Sequence, residues 1–189
     1  DTEDSFIVEA AGSVSGVVEG GDGGFDELLI RSATGAALVV PDATGAGTAM
    51  FDGRTVMYAG VESFVDASDP DAVAINATVL VDDLVLAAVP GDPASTQVRS
   101  LGYLFLSGAA SSSSLQFANP ATSLTLNLRA DDDAFTLGTL DAGFGASIVV
   151  VGSQGTDELT GPDAPPDAPN EWEINAPNAG SLNVTTSFI

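Results

Sequence analysis

Histidine, cysteine and lysine are all missing from this chain of 189 residues. Without cysteine there is no disulfide framework, no zinc–thiolate site and no thiol nucleophile. Without histidine and cysteine, Ser-His-Asp and Cys-His catalytic arrangements are impossible. Without lysine a phosphate loop of the G-x-x-x-x-G-K-[ST] type cannot form. The only cations are four arginines, Arg31, Arg54, Arg99 and Arg129, set against 27 acids for a formal charge of -23. That balance excludes nucleic-acid binding, which needs clustered basic residues, and disfavours anionic membrane surfaces. No run approaches the roughly 18 apolar residues of a membrane helix, so membrane insertion is not expected. The start, "DTEDSF", carries neither a basic nor an apolar leader.

What is present points to a folded domain. Hydrophobic residues make up 44% of the chain, too many for an acidic disordered tail. Mutual repulsion of the acids favours a salty or calcium-containing medium, where charge is screened or bound; the alternative is that the acids simply keep a surface-exposed repeat soluble. Short runs rich in β-branched and aromatic residues recur throughout. They include "SFIVEA", "ELLIR", "AALVV", "TVMYAG", "ATVLV", "LVLAAV", "LGYLFL", "SLQF", "SLTLNL", "AFTL", "ASIVVV", "EWEI" and "SLNVTT". Gly, Asp, Pro, Asn and Ser separate them, and no segment has a convincing helical period. The chain therefore reads as all-β.

Self-similarity bears on the type of β fold. "DSFIVEAAGSVSGVVEGGDGGFDEL" (4–28) and "DAFTLGTLDAGFGASIVVVGSQGTDEL" (133–159) both open D-[SA]-F and close G-x-x-G-x-D-E-L. Apolar runs recur roughly every 20–25 residues, a period found in solenoids. The expectation is a parallel β-helix or β-solenoid over 1–189, with an antiparallel β-sandwich as the alternative. Both ends read as cut from something longer. A loop is expected at 161–170, "GPDAPPDAPN", because proline cannot donate to a central ladder.

"LTLNLRADDDAFTLGTLDAGFGASIVVVGSQGTDELTGPD", "GSVSGVVEGGDGGFDELLI" and "LTGPD…NEWEINAPNAGSLNV" resemble repeat segments of giant bacterial surface and secreted proteins, the filamentous-haemagglutinin-like and repeats-in-toxin-like adhesins. The resemblance covers 4–30 and, more loosely, 122–184; the stretch 31–120 matches in general style alone. It implies a β-helix or β-roll with an adhesive or scaffolding role.

In the repeats-in-toxin pattern, glycines form a tight turn while Asp carboxylates and carbonyls hold calcium. Gly21, Gly24, Asp26 and Leu28 match its first, fourth, sixth and eighth positions, as do Gly152, Gly155, Asp157 and Leu159. The second position departs in both copies, as Asp22 and Ser153, and the motif is not tandem. Asp22, Asp26, Asp131, Asp132, Asp133 and Asp157 are the candidate calcium ligands, with "RADDD" placed to complete a shell for Gly152 to Asp157. The competing reading is a Gly-Asp corner that recurs with the fold. Acid pairs that could cleave a glycosidic bond are Asp82 with Asp83, or the run Asp131–Asp133; only Arg129 lies beside one.

The function expected is a non-enzymatic, extracellular or cell-surface structural and adhesive module of a large protein. Its partners would be neighbouring repeats of the same protein, with glycans or cell-surface ligands as adhesion targets. The alternative is a calcium-dependent or carbohydrate-binding β-sandwich module of a secreted protein.

Overall fold

A computed structural model describes residues 2–21, 24–31, 37–41, 46–100, 114–162, 172–176 and 179–182. Among them there are strands and turns but no helix. The strands are β1 (Ser5–Val8), β2 (Val17–Glu19), β3 (Glu27–Ile30), β4 (Ala37–Pro41), β5 (Ala46–Phe51), β6 (Arg54–Ala59), β7 (Ser63–Asp66), β8 (Ala72–Asn76), β9 (Asp83–Val89), β10 (Asp92–Ser100), β11 (Ser114–Ala118), β12 (Ser123–Asn127), β13 (Ala134–Leu137), β14 (Ser147–Val151), β15 (Glu158–Thr160), β16 (Trp172–Ala176) and β17 (Ala179–Leu182). The chain is all-β, as its composition predicts.

Two sheets share these strands. The first runs β1-β3-β7-β11-β10-β9-β13-β15 and the second β16-β17-β14-β12-β8-β4-β5-β6-β2. Long stretches of chain alternate between them: β1, β3, β7, β9, β13 and β15 in the first sheet are interleaved with β2, β4, β8, β12 and β14 in the second. Strands reached by such crossovers pair in parallel, for example β1 with β3 and β12 with both β8 and β14.

Each sheet is mixed: each contains a three-stranded antiparallel meander, and in the second sheet β17 also pairs antiparallel with β14 and β16. In the second sheet β4, β5 and β6 form the meander. Its β5–β6 hairpin turns on Asp52-Gly53, both at positive φ (47° and 71°), as a two-residue primed turn requires. In the first sheet β9, β10 and β11 form the meander, with Pro90-Gly91 at the first turn and Gly91 at φ 82°.

Alternation of side chains along each strand turns one face of each sheet inward, as in β9, β11, β12 and β13. Leu28, Phe64, Leu84 and Phe135 from the first sheet meet Tyr58, Ile75, Leu124 and Ile148 from the second in one core. Tyr58 and Phe64 join the sheets with ring centroids 5.9 Å apart. A void near Ile30, Val39, Ala49, Phe51 and Phe64 is about the size of one water.

Several strand expectations need correction. "ATVLV" is a connection between β8 and β9, not a strand. Thr78 and Asp82 close it locally: the Asp82 carboxylate accepts from the Thr78 N–H at 2.9 Å and its hydroxyl at 2.8 Å. Such side-chain bonds offer the backbone an alternative to a ladder. Val79, Leu80 and Val81 are consequently exposed. Strands β2, β5, β7, β8, β10 and β15 lie outside the expected runs. The run "LGYLFL", most of the Pro-rich 161–170 segment and Asp22 lie outside the described residues.

Candidate functional site

Six strands of the first sheet are entered through an acidic residue: Asp4 before β1, Asp26 before β3, Glu62 before β7, Asp82 before β9, Asp133 before β13 and Asp157 before β15. The strand registers align these acids. Ser5 faces Glu27, which faces Ser63, so Asp4, Asp26 and Glu62 share one row. Ala134 faces both Asp83 and Glu158, so Asp82, Asp133 and Asp157 share another.

Within each row, the carboxylate of one strand accepts the backbone N–H of the preceding one. Asp4 N–H donates to Asp26 Oδ1 at 2.7 Å, and Asp26 N–H to Glu62 Oε2 at 2.7 Å. Asp82 N–H donates to Asp133 Oδ1 at 2.7 Å, and Asp133 N–H to Asp157 Oδ1 at 3.3 Å. All four bonds point the same way along the sheet. They satisfy amides at the strand entries and add to the regular bonds beside them, such as Glu27 N–H to Asp4 O and Ala134 N–H to Asp82 O. These are carboxylate ladders that clamp neighbouring strands.

Asp26, Asp82 and Asp133 are almost fully buried, and each keeps one carboxylate oxygen without a hydrogen-bond partner. Burial raises the Asp82 carboxyl above its ordinary value, against the bonds from Thr78. Burial likewise pushes Asp133 up to about 6; the Asp82 amide opposes this, while the negative charges of Asp82, Asp157 and Asp131 add to it. Asp66, beside the small apolar void, is also raised by burial and is held by the Ser68 N–H at 3.0 Å.

The two G-x-x-G-x-D-E-L motifs occupy equivalent places. Gly24 has φ 107° and Gly155 φ 120°. A Cβ on Gly24 would lie 2.6 Å from the carbonyl oxygen of Thr2, and one on Gly155 would overlap that of Asp131. Thr2 stands two residues before Asp4, and Asp131 two before Asp133, so the motif glycines pack against matching points of the preceding entry. Backbone conformation and close approach both demand glycine there. The motif is a corner at which one strand entry is laid on the last.

The expected juxtaposition of Asp131, Asp132 and Asp133 with the Gly152 to Asp157 loop is present. Besides the Asp133–Asp157 bond, Asp132 Oδ1 accepts the Thr156 N–H at 2.7 Å. Asp26 stands apart from this cluster. Six strand steps separate β3 from β15, about 29 Å at the usual spacing. Among the described residues no group of three or more acids is arranged to hold a metal ion. One carboxylate oxygen each of Asp26, Asp132, Asp133 and Asp157 is directed at an amide of a neighbouring strand entry.

Nor do the acid pairs suggested for glycosidic chemistry face each other across a cleft. The Asp82 carboxylate is buried on Thr78, while Asp83 begins β9, where consecutive side chains project to opposite faces. The acidic ladder itself was not anticipated. Its signal is an acid two positions before Phe or Leu, in Asp4-Ser5-Phe6, Asp26-Glu27-Leu28, Glu62-Ser63-Phe64, Asp82-Asp83-Leu84, Asp133-Ala134-Phe135 and Asp157-Glu158-Leu159.

Comparison with protein-family models, with curated proteins and with solved structures found no match. Among the described residues no helix is long and apolar enough to cross a membrane.

Proposed function

We propose that the chain is a non-enzymatic structural and adhesive module of a large extracellular or cell-surface protein. Its architecture is read as a β-solenoid relative, in which parallel crossovers build the stack and two antiparallel meanders widen it. The observation that carries this reading is the use made of the buried acids. Asp26 and Asp133 are bonded through a carboxylate oxygen to the backbone of a neighbouring strand entry, and Asp82 to the Thr78 backbone of its own connection. Groups invested in inter-strand clamps serve rigidity.

The -23 charge supports a role in a saline medium, where cations screen the surface and keep it soluble. Adhesion would then rest on exposed features outside the ladder, and glycans or cell-surface ligands are the targets to test.

Single-molecule pulling tests the mechanical part. The expected trace is one cooperative, high-force unfolding event. Low-force, stepwise extension would remove the structural role. In parallel, assays on a polysaccharide panel are expected to release no sugar. Turnover lost in Asp82→Asn or Asp133→Asn would show an enzyme instead.

A further inference from the structure

The two carboxylate rows have a direction, and the first sheet ends differently at its two edges. At one edge, β1 pairs among the described strands with β3 alone, and at the other β15 pairs with β13 alone. Each internal acid of the rows accepts from the strand before it and donates its amide to the strand after it, as Asp26 and Asp133 do. Asp4 only donates: among the described residues its carboxylate accepts nothing. Asp157 only accepts: its N–H finds no acceptor there. One edge thus offers a free acceptor and the other a free donor, at the same register position.

The internal repeat shows which kind of strand comes next in the sheet. In the first copy, the Asp26-Glu27-Leu28 strand is succeeded by Glu62-Ser63-Phe64, an acid, a small residue and Phe. In the second copy, Asp157-Glu158-Leu159 has no described strand beyond it. The chain's own first strand, Asp4-Ser5-Phe6, has the missing pattern.

The geometry points to head-to-tail stacking of a second copy of this chain, with β1 of one copy laid parallel on β15 of another. This rests on the structural reading proposed above and names its partner. The register matches that of β1 on β3: Glu158 opposite Ser5, Leu159 opposite Phe6, Thr160 opposite Ile7. Asp157 N–H donates to the Asp4 carboxylate, as Asp4 N–H does to Asp26. Ser5 N–H donates to Asp157 O, as Glu27 N–H does to Asp4 O.

The apolar pattern agrees. Leu159 belongs to the row of Leu84 and Phe135, which are each 1% exposed, yet it is 38% exposed, and no described strand lies beyond it. Phe6 of the incoming copy would cover it and extend the row. Ile7 on β1 is likewise half-exposed. Since the two edges differ, the contact is heterologous, and every added copy leaves one free edge at each end for the next. Acids meet at the junction, and the contact therefore needs screening by salt.

Sedimentation velocity of the full chain in about 1 M NaCl, where the Debye length is about 3 Å, tests it. Species that lengthen with concentration are expected. Leu159→Pro and Ile7→Pro each remove a donor on one free edge, and each variant alone should be monomeric. Their equimolar mixture should form a 1:1 dimer and nothing larger, because each variant keeps the edge the other lacks. If either proline variant loses the parental circular dichroism spectrum, Leu159→Glu or Ile7→Glu replaces it with the same expectation. A folded parent that stays monomeric at every concentration, or association that survives both substitutions, overturns head-to-tail stacking. Neither result touches the pulling and polysaccharide tests, which judge the structural reading separately.

Discussion

Asp133 accepts the backbone N–H of Asp82 at 2.7 Å through one carboxylate oxygen, while its other oxygen is buried without a partner. One group thus joins β9 to β13 and also carries an unfavourable burden of desolvation and like charge. The joint is directional and structural, and its cost depends on protonation. The consequence is a fold whose stability responds to pH through a residue that joins two strands.

Acidification should therefore stabilise the protein. Asp133 has an ordinary value of 3.8 and is pushed up to about 6 in the fold, mainly by burial. Between those values the folded chain holds a proton that the unfolded chain has released, so stability falls as pH rises from about 4 to about 6 and stays lower above. Asp82 and Asp66, also raised by burial, act in the same direction. Asp133→Asn keeps an acceptor for the Asp82 amide and removes the charge. It should raise the melting temperature at pH 7 by about 2–4 °C, what about 1 kcal/mol gives a domain of this size, and match the parent near pH 4. Glu3→Gln, an exposed change of equal charge, is the control for the loss of one negative charge. Melts at both pH values decide the matter.

The motif glycines should resist substitution for steric reasons. Gly155→Ala combines a φ of 120° with overlap on the Asp131 carbonyl. A loss of roughly 2–3 kcal/mol in denaturant unfolding is expected. Gly145→Ala meets nothing within 4 Å and has an ordinary φ, so it should change stability by less than about 0.5 kcal/mol.

Much of this was legible in the residues. The all-β class follows from short β-branched runs between turn residues, and the equivalence of the two D-E-L corners follows from their spacing to Asp4 and Asp133. The hairpins at Asp52-Gly53 and Pro90-Gly91 also had their local signals, yet a search for one uniform coil period passes over them. The Val79-Leu80-Val81 segment misleads because β propensity describes side chains, while Asp82 and Thr78 compete for the backbone. The ladder was hidden for another reason. Whether Asp26 lies beside Asp157 or far from it depends on how many strands are inserted between their corners, and that is a property of sheet order alone.

The Thr78–Asp82 closure should be worth more at neutral pH than in acid. Thr78→Val removes the 2.8 Å hydroxyl bond to a buried carboxylate, together with the hydroxyl's bonds to the Leu80 C=O and N–H, and leaves the Thr78 N–H bond to Asp82. A loss of about 2 kcal/mol is expected at pH 7, in the range of hydrogen bonds to charged groups. Removing the bond raises the Asp82 carboxyl further, so the penalty should shrink as pH falls toward 4 and the folded-state carboxyl takes up its proton. Equal destabilisation at both pH values would assign the effect to packing.

Cations should act on this protein as screening charge. The net charge of -23 destabilises the compact state by self-repulsion, which salt reduces. Asp132, Asp133 and Asp157 already accept amides from neighbouring strands, and no described trio of acids is arranged around a metal. Sodium chloride and calcium chloride should each raise the melting temperature gradually, without saturation. Calorimetry with millimolar calcium should give no saturable isotherm. The repeats-in-toxin pattern predicts the opposite, a stoichiometric heat and a sharp rise in melting temperature, both lost in Asp157→Asn. Measuring the parent and Asp157→Asn together separates the two, because Asn keeps an acceptor for the Asp133 amide in the ladder while a calcium site would lose a charged ligand.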